Sequence, residues 1–92
     1  MGIDPKKIDL VQKALENAGF KDIRNKQFQE VFVFNNGKNS FELEFSRQYI
    51  DDTVESELTN ELESRLIPEL NKNPDRRIHV SYGGIQVMDR NS

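Results

Sequence analysis

The segment Phe28-Gln29-Glu30-Val31-Phe32-Val33-Phe34-Asn35-Asn36-Gly37-Lys38-Asn39-Ser40-Phe41-Glu42-Leu43-Glu44-Phe45 is the most regular stretch of the chain. On either side of the turn-forming cluster Asn35 to Asn39, apolar residues recur at every second position, the period of a half-buried strand. The segment therefore predicts a β-hairpin. A two-residue turn at Asn36-Gly37 sets Phe32 opposite Phe41 and Phe28 opposite Phe45, whereas a four-residue loop over Asn36 to Asn39 alters the pairing without altering the faces. Phe28, Phe32, Phe34, Phe41, Leu43 and Phe45 share one apolar face. Gln29, Val31, Val33, Ser40, Glu42 and Glu44 share the other, which is expected to be largely wet.

Upstream of this hairpin the period is helical. Asp4 is placed to cap a helix with Pro5 at its first position, where a missing N–H costs nothing. Ile8, Val11, Leu15 and Ala18 follow at helical spacing, and Gly19-Phe20 supplies a C-terminal stop. A helix over about residues 5 to 18 is expected, with Phe20 to Gln27 read as a connection.

Downstream, Ser46 to Leu70 returns to helical spacing through Ile50, Val54, Leu58, Leu62 and Leu66. Two starts compete: Ser46 as a cap for a long helix bent near Asp51, which the pattern favours, or Asp52 with Glu55 as a capping box. Pro68 is expected to end or kink the helix near Ile67. Asn71, Asn73, Pro74 and Asp75 read as a loop. Arg76 to Arg90 then holds two alternating runs around Gly83-Gly84, a second hairpin pairing Tyr82 with Ile85, Val80 with Val87, and Ile78 with Asp89. Its opposite face pairs Ser81 with Gln86, His79 with Met88 and Arg77 with Arg90.

These elements predict one α+β domain spanning residues 1–92, in the order α-β-β-α-β-β. The expected assembly is an antiparallel sheet of two hairpins with two helices packed on one face. Although 35% of the 92 residues are apolar and 32% charged, the apolar residues cluster in periodic blocks, which argues against disorder. The chain has no cysteine, so disulfides and thiolate chemistry are excluded. No apolar run approaches the roughly 20 residues of a membrane span. A soluble, cytoplasmic protein without a membrane role is expected.

Chemistry leaves few marks on the sequence. His79 is the only histidine, and only sequence proximity nominates Asp75 and Asp89 as carboxylates to orient it. Glu42, Glu44, Asp51 and Asp52 contain enough oxygen for a hard-metal site, but no lysine follows Glu44 where metal-dependent nucleases place one. There is neither a phosphate-cradling glycine loop nor a nucleophile elbow. A GxxG loop between helices is absent as well. No catalytic residue, metal or cofactor is assigned.

Charge placement says more. The stretch Ser46 to Leu70 carries a local net of −5, against an overall −3, while residues 1–26 and 71–92 each carry +2. One reading is a small non-enzymatic protein-interaction module, an accessory or inhibitory factor, that docks a basic protein partner through Asp51, Asp52, Glu55, Glu57, Glu61 and Glu63 together with Glu42 and Glu44. The alternative is a binder of phosphate or another acidic ligand, or a small enzyme, centred on Arg76, Arg77, His79 and Arg90. The plain reading of the same acids is a helix face that keeps the protein in solution. Nucleic acid is a poor partner for an acidic chain whose aromatic residues are committed to the core. Val31 and Val33, β-branched on a polar face, point to a homodimer or partner contact.

Overall fold

The computed structural model describes residues 4–25 and 30–89. Helix α1 (Pro5–Asn17) begins as its sequence requires, with the Asp4 side chain accepting from the Lys6 N–H. It ends in a Schellman arrangement: Gly19 takes a φ of 98°, its N–H donates to Glu16 O, and the Phe20 N–H donates to Leu15 O. That turn delivers Phe20 into the core, edge-on to Phe34 and Phe41.

The five strands among the described residues follow the α+β class but not the expected arrangement. β1 (Lys21–Asn25) occupies the stretch read as a connection. Its register with β2 (Val31–Asn35) breaks between Lys21 and Arg24, and Asp22 sits at positive φ, so the alternation that marks a strand is interrupted. β2 and β3 (Ser40–Phe45) form the predicted hairpin with the four-residue loop, pairing Phe34 with Phe41 and Phe32 with Leu43. Within the loop, Asn36 Oδ1 accepts from the Lys38 and Asn39 N–H groups. Phe28 and Gln29 lie outside the described residues.

β4 (Arg76–Ser81) and β5 (Gly84–Asp89) form the second hairpin, but β4 lies parallel to β3, giving a mixed sheet in the order β1-β2-β3-β4-β5. The parallel pairing has a simple cause. The chain leaves β3, crosses the sheet as helix, and returns at the starting edge, so the next strand must run in the same direction. Asp75, at a φ of 63°, fixes the return: its N–H donates to Ser40 O and its Oδ1 accepts from the Ser40 N–H.

The crossover is broken rather than bent. α2 (Arg47–Asp52) is capped by Ser46, whose Oγ accepts from the Tyr49 N–H, so the Ser46 start holds. The helix then stops at Thr53, whose N–H and Oγ1 both donate to Tyr49 O. Lys7 caps the same end from α1, its Nζ lying 2.6 Å from Ile50 O and 2.8 Å from Asp51 O. The Asp52–Glu55 capping box does not form. Asp52 ends α2 instead, and Val54, which has no side-chain acceptor, holds the cap position of α3 (Glu55–Glu61).

α3 runs without interruption into a π-helical turn (Leu62–Leu66) and then α4 (Ile67–Lys72). Pro68 does not end the helix. In the π turn the Ile67 N–H donates to Leu62 O, five residues back, and this wider turn accommodates a ring that an α-helix would set against the Ser64 carbonyl. No helix among the described residues is long and apolar enough to cross a membrane.

All helices cover one face of the sheet. Leu15, Ile50, Leu58, Leu62, Leu66 and Leu70 pack there onto Phe32, Phe34, Phe41, Leu43, Phe45 and Ile78. No described helix covers the other, bare face, which is less wet than its sequence suggests: Glu42 is buried, and Val31, Val33 and Glu44 are half-buried.

Candidate functional site

Two surfaces gather the polar residues. The first is the bare face of the sheet, where two rows cross the strands: Val33, Glu42, Arg77 and Met88, and Val31, Glu44, His79 and Gln86. Glu42 forms an ion pair with Arg77, and His79 Nδ1 lies 3.0 Å from Glu44 Oε1. The carboxylate beside His79 is thus Glu44 and not Asp75, while the Asp89 side chain lies outside the described residues. Because β3 and β4 are in register, the acidic residues of one strand stand beside Arg77 and His79 of the other.

The second surface is a cleft of about 530 Å³ between α3 with its π turn and the β4–β5 turn. The second hairpin turns at Tyr82-Gly83, with Ser81 opposite Gly84 and Ile78 opposite Val87. The expected pairs are therefore displaced by two residues, which preserves the faces but lifts Tyr82 out of the apolar one. A residue centred in a two-residue turn projects outward, and Tyr82 is 63% exposed. Arg77 stands opposite Met88, so the predicted Arg77–Arg90 pair does not form, and Arg90 lies outside the described residues.

The chain has two tyrosines, and both line this cleft. Tyr49 stacks on Phe45 and meets Tyr82 edge-on at 5.8 Å, while Phe45 meets Phe32 edge-on at 6.1 Å. A chain of rings thus runs from core to surface. The outermost ring is held by its hydroxyl, which donates to Asp52 Oδ2 at 2.9 Å. Glu57, Asn60, Glu61 and Arg65 form the helical wall. Glu61 pairs with Arg65 at 2.9 Å, and Glu57 has no ion pair among the described residues. Burial first, then the Glu61 carboxylate, raises the Tyr49 hydroxyl above its ordinary value of 10.0. The Tyr82 hydroxyl is also raised, chiefly by its hydrogen bond to Asp52.

The acids expected to form one face are therefore divided. Glu57 and Glu61 line the cleft, and Asp52 holds the Tyr82 hydroxyl beside it. Asp51 pairs with Arg47, and Glu63 lines a separate depression beside Lys6 and Lys13 of α1. Glu55 is exposed in the first turn of α3, while Glu42 and Glu44 are on the bare sheet face. Arg76 is exposed at the start of β4. Among the described residues no three metal-ligating side chains converge. Tyr49, Tyr82 and Arg65 went unassigned in the sequence because a tyrosine at an apolar spacing reads as core. The one available signal was that Tyr82 immediately precedes a Gly-Gly pair.

No protein-family model, curated protein or solved structure matches the chain.

Proposed function

We propose that the protein is a small non-enzymatic interaction module that binds a basic segment of a protein partner at the cleft between α3 and the β4–β5 turn. The observation carrying this reading is the meeting of both tyrosine rings with Glu57 and Glu61 around one opening. A lysine or arginine side chain finds there what a cation requires: carboxylates to pair with and aromatic faces to lie against. Its partner's approach is helped by the −5 of the crossover. An accessory or inhibitory role in the cytoplasm belongs to the same proposal.

The alternative, a phosphate or acidic-ligand site at Arg76, Arg77, His79 and Arg90, draws less support. Glu42 and Glu44 stand beside Arg77 and His79 and would repel such a ligand.

The test is an NMR titration of the full chain with a short arginine-containing peptide and its glutamate counterpart. The arginine peptide is expected to shift amides of Tyr49, Glu57, Glu61 and Tyr82, and the double charge reversal Glu57→Lys/Glu61→Lys is expected to abolish those shifts while Glu63→Lys leaves them. Equal response to both peptides, or no response at the cleft, overturns the reading.

A further inference from the structure

The two edges of the sheet are built differently. β1 is a guarded edge: five residues long, charged at Lys21, Asp22 and Arg24, and broken in register by Asp22 at positive φ. Charges and bulges of this kind prevent a second strand from adding. β5 has no bulge, and its one charged residue, Asp89, is its last. It pairs with β4 residue by residue over its whole length, contains no proline, and carries no charge from Gly84 to Met88. No strand among the described residues lies on its outer side. Val87 is 39% exposed there, and Ile85 is only partly buried.

We propose that β5 is a dimer interface, pairing antiparallel with β5 of a second copy about a twofold axis that passes through Gln86 perpendicular to the sheet. The occupant is argued from self-complementarity. Centring on Gln86 sets Ile85 opposite Val87 of the second copy, twice over, on the helix-covered face. This prolongs the apolar rows in which Val80 stands opposite Ile85 and Ile78 opposite Val87. Gly84 then faces Met88 of the second copy, and no charge faces a like charge. Centring on Val87 instead sets Ile85 opposite Asp89, and centring on Ile85 shortens the ladder. A strand uncharged from Gly84 to Met88, with one apolar row, fits a copy of itself better than the basic partner proposed for the cleft. Among the described residues the product is a ten-stranded sheet with both helical layers on one side and the two guarded β1 strands at its edges.

The chain contains no cysteine, which permits a direct test. In this register the two Gln86 Cα atoms stand about 4.5–5.5 Å apart, within disulfide range. Gln86→Cys is expected to give a covalent dimer on mild oxidation, at least about tenfold faster than Met88→Cys. By sedimentation, wild type is expected to approach twice the 10.7 kDa chain mass with rising concentration. Val87→Lys is expected to weaken association by about tenfold or more. A monomeric wild type at about millimolar concentration overturns the proposal, as does equal cross-linking of the two cysteine variants or dissociation by Val33→Lys with none by Val87→Lys. Should Val87→Lys fail to fold, the cysteine pair decides. Glu57→Lys/Glu61→Lys, which tests the cleft, is expected to leave the dimer intact, so the two proposals fail separately.

Discussion

His79 and Glu44 stand 3.0 Å apart although 35 residues separate them in the chain, because the parallel ladder places them on neighbouring strands at the same level. Glu42 and Arg77 meet two pairs earlier in the ladder, and there the carboxylate is far more enclosed. Removing one partner of the more buried pair should cost more. Glu42→Ala is expected to lower the unfolding free energy by about 1–3 kcal/mol, against less than about 1 kcal/mol for Glu44→Ala. Urea denaturation of both variants, with the Glu42→Ala/Arg77→Ala double mutant to isolate the coupling, checks the order. Equal costs would show that enclosure is irrelevant to this face.

The two tyrosines make stability depend on alkaline pH. Both hydroxyls are raised in the folded protein, Tyr49 mainly by burial and Tyr82 mainly by its bond to Asp52, so folding favours the neutral phenol. The unfolded chain loses these protons first, near pH 10. The tyrosine contribution is therefore complete below that pH and lost as pH rises through the higher folded values. Tyr49→Phe is expected to flatten this alkaline decline relative to wild type in denaturant titrations at stepped pH. Ultraviolet titration should show both phenols ionising later in the native protein than in denaturant.

Proline within a helix ordinarily costs about 3 kcal/mol relative to alanine. The π turn ahead of Pro68 has already removed the carbonyl clash that accounts for much of that cost. Pro68→Ala is expected to raise stability by no more than about 1 kcal/mol, measured by thermal or urea unfolding. A gain near the full helix-interior value would mean that the π turn does not relieve the ring.

Lys7 ties α1 to the end of α2 through two backbone carbonyls. A cation at a helix C-terminus satisfies acceptors and opposes the helix dipole. Lys7→Met retains the apolar stem and removes only the head group. It is expected to destabilise by about 1 kcal/mol and to speed amide exchange in residues 50–53, whereas Lys13→Met, at an exposed pair, should do neither.

Helix and strand faces were legible wherever periodicity alone determined them. Asp4, Pro5 and Gly19 bound α1, and the Phe32–Phe45 alternation assigned the core side of the hairpin regardless of loop length. What could not be read depended on contacts distant in sequence. β1 contains one apolar residue, Ile23, and a bulge, so nothing in its spacing suggests a strand. The direction of β4 follows from where the crossover helices pack. Tyr49 and Asp52 are both in α2, but only the fold brings them to Tyr82. The acidic stretch was visible as composition, while its division among the cleft, α1 and solvent follows from the break at Thr53 and the π turn.

The parallel ladder also imposes an order on synthesis. β4 lies between β3 and β5 in the sheet, yet it is made only after the whole crossover, so for roughly a few seconds at ribosomal speed the nascent chain holds β3 as an outer edge. That edge carries Phe41, Leu43 and Phe45, with Phe32 and Phe34 beside it. A chain stopped after the crossover would keep this edge permanently. Truncated forms of the protein should therefore aggregate rather than persist as small folded fragments.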